Sequence, residues 1–123
     1  MKRMSLLAIL ALTACATVPP AAAVPVAKFG ETAQAGILSV RPLALLEDSR
    51  CPASVQCVWA GQVRIRVEIT DMMGRGLREL TLGQPLQLDG GSVTLVSVEP
   101  PKLVPGATDP SAYRFTFRFE PAR

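Results

Sequence analysis

Cys51 and Cys57 lie in the stretch DSRCPASVQCVWAG, residues 48–61, and the chain's one tryptophan, Trp59, follows them. Two thiols at this spacing could help ligate a metal, serve as a nucleophile or redox pair, or bond each other. Histidine is absent from all 123 residues. Its absence removes the commonest general base, the Ser-His and Cys-His nucleophile pairs, and the imidazole metal ligands. A zinc site would want four ligands at CxxC-type spacing, and none completes it here. An enzyme could still use carboxylates, but the four Asp and six Glu are scattered along the chain. The expectation is a non-enzymatic protein with no cofactor and no metal.

The third cysteine has a different chemistry. Met1-Lys2-Arg3 is a positively charged start, and an apolar run from Met4 to Leu12 follows it. This is the layout of a secretory signal, and the run is far short of the roughly 20 residues that span a bilayer. Leu12-Thr13-Ala14-Cys15 resembles the bacterial lipobox. That resemblance implies cleavage before Cys15, a diacylglyceryl group on its thiol and acylation of the freed amine. Two or three acyl chains hold a protein at a membrane almost permanently, at ~0.8 kcal/mol per buried methylene. Residues 1–14 are therefore read as a lipoprotein signal peptide. Residues 15–25 are read as the lipidated Cys15 plus an uncharged Ala/Pro-rich tether. Ala16 stands where an aspartate would imply retention at the inner membrane. The expected location is the cell envelope, on the periplasmic face of the outer membrane if the source is Gram-negative.

With Cys15 carrying lipid, Cys51 and Cys57 form an even pair in an exported protein, and a disulfide meets every count. A redox-active pair is the alternative. In the chain-entropy picture, closing so short a loop contributes ~2 kcal/mol. Charge adds little. Removing Lys2 and Arg3 leaves eleven basic against ten acidic side chains, so the overall pI of 9.1 does not indicate a nucleic-acid partner.

Period-2 alternation supplies the elements that position these residues. From Cys57 to Ile69 the odd positions are Cys57, Trp59, Gly61, Val63, Ile65, Val67 and Ile69, against Gln62, Arg64, Arg66 and Glu68. The pattern predicts one long strand, with the disulfide entering on its buried side and Trp59 in the core. Tyr113, Phe115, Phe117 and Phe119 alternate with Arg114, Thr116, Arg118 and Glu120, placing four of six aromatics on one strand face. A further strand spans Ile37 to Leu46, with Pro42 marking an edge or a bulge. Shorter ones fall near Val26 to Phe29, at Glu79 to Leu82 and at Gln84 to Leu88. Asp89-Gly90-Gly91 then turns the chain into Ser92 to Val98, whose alternation slips at Leu95-Val96 as in a bulge. Turns are expected at Asp71 to Gly76 and over Pro100 to Pro110. The fold class is all-β: one small antiparallel β-sandwich, or small barrel, of about seven strands over residues 26–123, with one local disulfide.

Asp48-Ser49-Arg50-Cys51-Pro52, four residues, then Cys57-Val58-Trp59-Ala60-Gly61 resembles the shared motif of a family of small exported bacterial proteins and lipoproteins. Leu95-Val96-Ser97-Val98-Glu99-Pro100 and Tyr113-Arg114-Phe115 are also similar, and the likeness spans Lys28 to Phe119. It implies an all-β domain in which the motif joins two long strands, and it implies no activity. Where that family carries an aromatic after Pro100, this chain has Pro101.

Asp48, Ser49 and Arg50 have a structural role available. Asp and Ser cap turns, and Arg50 can pair with Glu47, Asp48 or Glu99. With Trp59 they could equally form a binding loop. Arg64 and Arg66 point outward on one strand, and Arg114 and Arg118 on another. If the two strands share a sheet, four guanidiniums cluster into an anion-binding face suited to an anionic glycolipid; the plain reading is a solvated face balanced by Glu68 and Glu120. The expected function is a membrane-anchored binding or structural module for an envelope component. The alternatives are an inhibitor presenting the 51–57 loop, and a redox-active or carboxylate-dependent enzyme.

Overall fold

Alternation becomes strand along most of the chain. In the computed structural model, which describes residues 24–122, eight strands follow one another: β1 (Val26–Ala27), β2 (Ala33–Ala35), β3 (Leu38–Asp48), β4 (Val63–Asp71), β5 (Gly74–Thr81), β6 (Leu86–Leu88), β7 (Gly91–Glu99) and β8 (Arg114–Pro121). A single 3-10 turn, Pro110–Ala112, precedes β8. The strands form two four-stranded antiparallel sheets, ordered β1-β8-β7-β6 and β2-β3-β4-β5. The domain is a sandwich. Cys15, residues 1–14 read as a signal peptide, and the part of the expected tether up to residue 23 lie outside the described residues.

The apolar set of each strand meets between the sheets. Val63, Ile65, Val67 and Ile69 of β4 are buried against Val93 and Leu95 of β7 and Phe115 and Phe117 of β8 within one core. Each such side chain contributes about 1.5–3 kcal/mol when removed from water. Phe29 closes the core beside β8, packing edge-on to Phe115 at 4.9 Å and to Tyr113 at 5.8 Å between ring centroids.

Both expected irregularities are present. β3 shifts register between Pro42 and Ala44. β2 pairs no further along β3 than Val40, so Pro42, which lacks an N–H, lies where no ladder donor is required. β7 shifts between Leu95 and Ser97, which sets Val96 outside the alternation.

Two expectations are corrected, and one strand is new. β4 begins at Val63, not Cys57. Gly61 has φ +71°, and a Cβ there would overlap the Ser49 carbonyl oxygen, so the chain turns sharply before the strand starts. Residues 57–61 are loop. The expected Asp71 to Gly76 turn shrinks to Met72-Met73, because Asp71 already pairs with Gly74 and β5 starts there. β2, only three residues long, was too short to show a period.

Candidate functional site

The motif occupies one end of the sandwich, where β3 leaves for β4 and β7 leaves for β8. It has a root and a tip, and the two differ in every physical respect.

The root is built on Asp48, the last residue of β3. Its side chain is 6% exposed and meets Arg50 in a fork: Arg50 Nε donates to Oδ1 at 2.8 Å and a second guanidinium nitrogen donates to Oδ2 at 2.9 Å. The Tyr113 hydroxyl donates to Oδ2 at 2.6 Å. Arg50 also donates to the Val98 carbonyl at 3.3 Å, and Lys102 Nζ donates to the Asp48 carbonyl at 3.2 Å. One carboxylate thus ties β3 to the end of β7 and the start of β8, which belong to the opposite sheet. Charge-assisted, bidentate bonds of this kind are the strong class of hydrogen bond.

The electrostatics follow from that geometry. The Arg50 guanidinium, outweighing burial and assisted by the Tyr113 hydroxyl, holds the Asp48 carboxyl down at about 2. The bond to Asp48 pushes Arg50 further above its ordinary value. Burial, and then the carboxylate accepting its proton, push the Tyr113 phenol up. Both Asp48 oxygens are occupied, and no buried side-chain nitrogen or oxygen among the described residues lacks a partner. This cluster holds the fold together and offers neither a free base nor a nucleophile.

Ser49 continues the tie. Its N–H donates to the Gln62 carbonyl at 2.8 Å, and its Oγ accepts from the Gln62 N–H at 3.0 Å. The Cys51 N–H donates to the Ala60 carbonyl at 3.2 Å, closing the loop's neck. Cys51 and Cys57 are joined by a disulfide with their Cα atoms 5.9 Å apart. Beyond the neck, the Ala53 and Ser54 N–H groups donate to the carbonyls of Lys102 and Leu103 at 2.9 and 3.0 Å. The stapled loop and the 100–109 loop are therefore one hydrogen-bonded unit.

The tip is apolar and in water. Trp59 is 82% exposed and Val58 91%. The expectation that Trp59 belongs to the core is corrected: the turn at Gly61 swings residues 57–60 off the end of β4, so the parity that buries Val63 does not extend to Trp59. Val55, Leu103 and Val104 are also exposed, so the two joined loops present five large apolar side chains at this end. Among the described residues no group of three or more His, Cys, Asp or Glu could hold a metal ion.

The condition for an arginine cluster is not met, and the plain reading of a solvated face stands. Arg64 and Arg66 lie on β4 and Arg114 and Arg118 on β8, and these strands belong to different sheets, so their outer faces point in opposite directions. Arg64 pairs with Glu79 and Arg118 with Glu120, each at 3.1 Å and solvent-exposed. Such pairs contribute at most about 1 kcal/mol. Tyr113 is the member of this structural cluster that the sequence disguised, because it reads as one more core aromatic. The only signal was a hydroxyl at the head of an otherwise all-phenylalanine face.

Set against known proteins, the chain matches no protein-family model, no curated protein and no solved structure.

Proposed function

We propose that this chain is a lipid-anchored protein of the bacterial envelope whose stapled β domain is a non-enzymatic binding module, with Trp59 and Val58 as its contact residues. The observation that carries the reading is the exposure of an indole and a valine on a loop fixed by a disulfide, a closed neck and the Asp48 fork. Contiguous exposed apolar side chains on a rigid frame mark interaction sites, and tryptophan dominates binding energy when a partner's pocket covers it. A pre-ordered loop also lowers the entropic cost of association. The partner is an envelope protein offering an apolar pocket. The separated arginines give an anionic glycolipid no common site.

The anchor is Cys15, with signal residues 1–14 removed and residues 16–25 spacing the domain from the membrane. The position of Ala16 supports an outer-membrane, periplasm-facing location in a Gram-negative cell. Exposure of the same loop also supports an inhibitor-like reading, for which a panel of proteases is the direct assay.

The test places a photo-crosslinking amino acid at Val58 in the full-length chain and irradiates whole cells. One discrete crosslinked protein is expected, reduced at least tenfold by Trp59→Ala with the unfolding midpoint unchanged. Crosslinking that is indifferent to Trp59→Ala would remove the binding tip. Cys15→Ala is expected to move the protein out of the membrane fraction, which tests the anchor separately.

A further inference from the structure

The β2-β3-β4-β5 sheet ends in β5, an eight-residue edge strand that pairs only with β4. The other sheet margins among the described residues are β1, β2 and β6, of two or three residues each. A long open edge presents a row of unpaired backbone groups, which proteins commonly blunt with proline, charged side chains, a bulge or shortness. β5 has no proline and no bulge, its register with β4 being unbroken from Gly74 to Thr81, and its charges, Arg75, Arg78 and Glu79, are of both signs.

The register also says which residues face the opening. The two-residue loop Met72-Met73 makes Asp71 and Gly74 the closing hydrogen-bonded pair, and bonding then alternates along the strand. The backbone groups of Arg75, Leu77 and Glu79 therefore point to the free edge. These three lie opposite Thr70, Glu68 and Arg66, on the outer face of the sheet. Leu77 is 61% exposed, and the side chains of Arg75 and Glu79 are 70% and 53% exposed.

We propose that β5 pairs with β5 of a second copy of this chain, antiparallel about a twofold axis at Leu77, joining two four-stranded sheets into one of eight. In this register Leu77 meets its twin, and Arg75 of each chain faces Glu79 of the other, twice by symmetry. An interface of this kind must be self-complementary, and the sequence Arg75-x-Leu77-x-Glu79 is so. Opposite charges directly across a strand pair are favourable and like charges unfavourable. The pairing extends charge contacts already present within each chain, since Arg75 lies 3.8 Å from Glu68 and Glu79 3.1 Å from Arg64. On the other face Arg78 lies opposite the twin's Gly76, which has no side chain to obstruct it. The inference rests on the edge alone and stands whether or not Cys15 carries lipid.

Cysteine crosslinking of the full-length chain in cells, under a membrane-permeant oxidant, tests it. Directly opposed residues of a hydrogen-bonded pair have Cα atoms about 5.5 Å apart, within disulfide reach. Leu77→Cys is expected to give a linked dimer, while Arg75→Cys and Glu79→Cys, each several residues from its twin, give none. Added to Leu77→Cys, either Arg75→Glu or Glu79→Arg should cut the dimer at least fivefold. Producing those two variants together should restore it, because every opposed pair in the mixed dimer again has opposite charge, and restoration also shows that both variants fold. No dimer from Leu77→Cys, equal linking at all three positions, indifference to the charge changes, or no recovery in the mixture would each overturn the proposal.

Discussion

The root and the tip of the stapled motif reverse the usual assignment of residue types. Asp48 and Arg50, a charged pair, are almost closed off from water, whereas Val58 and Trp59, among the most apolar residues in the chain, are almost wholly in it. The polar half carries structure because one carboxylate, forked by Arg50 and capped by Tyr113, spans the two sheets at their open end. The apolar half is free of structural duty because Gly61 turns the chain off the end of β4. What the contrast teaches is that exposure along this motif follows backbone direction rather than side-chain polarity.

Removing a member of the root should have the largest effect. Asp48→Ala takes from the Arg50 charge and the Tyr113 hydroxyl the carboxylate they share, leaving Arg50 only the Val98 carbonyl, and breaking a buried pair from one side costs about 3–5 kcal/mol. Urea unfolding followed by circular dichroism should show that loss; a loss under 1 kcal/mol would make the fork decorative. Gly61→Ala should cost about 2–3 kcal/mol by the same assay, since the new methyl meets the Ser49 carbonyl and an L-residue resists this φ. A larger penalty for Asp48→Ala than for Gly61→Ala would rank side-chain bonding above backbone direction in holding the root.

The disulfide comes next. Cys51→Ser with Cys57→Ser should lower stability by ~2 kcal/mol, the chain-entropy value for so short a loop, with the fold retained. Acid separates the root from the tip by a different route. The Asp48 carboxyl titrates at about 2 in the folded chain and near 3.8 when unfolded. Its contribution is thus fully present above pH 4 and is lost as pH falls toward 2. The difference corresponds to about 2 kcal/mol. Asp48→Asn should flatten that part of the stability profile between pH 4 and 2. An unchanged acid limb would assign it to other carboxylates.

The sequence's legible and illegible parts follow the same division. Alternation located the body of β4, though it began the strand six residues early at Cys57, and it located β8 to within a residue or two. The slip at Leu95-Val96 correctly marked a bulge, and proline chemistry explained Pro42. These are local properties, readable because sheet burial has a period of two. Trp59 was misplaced because the parity happens to continue through Gly61, while the backbone does not. The arginine cluster had to stay conditional for a different reason: alternation says which side of a strand a residue is on and nothing about which sheet the strand joins. The partner of Arg50 was left among Glu47, Asp48 and Glu99, and only the folded geometry selects Asp48 and adds Tyr113 from 65 residues away.

At the small end of the scale, Trp59→Ala should change folding stability by under about 0.5 kcal/mol, as surface substitutions do, where a core tryptophan would cost about 3–5 kcal/mol. Because Trp59 is the chain's one tryptophan, its fluorescence reports on the tip without interference. The most direct test is quenching of that emission by iodide in the folded, partner-free protein. The account predicts emission like indole in water, quenched nearly as efficiently as in the unfolded chain. A blue-shifted emission shielded from iodide would put the indole back among the core aromatics and leave the loop with nothing to present.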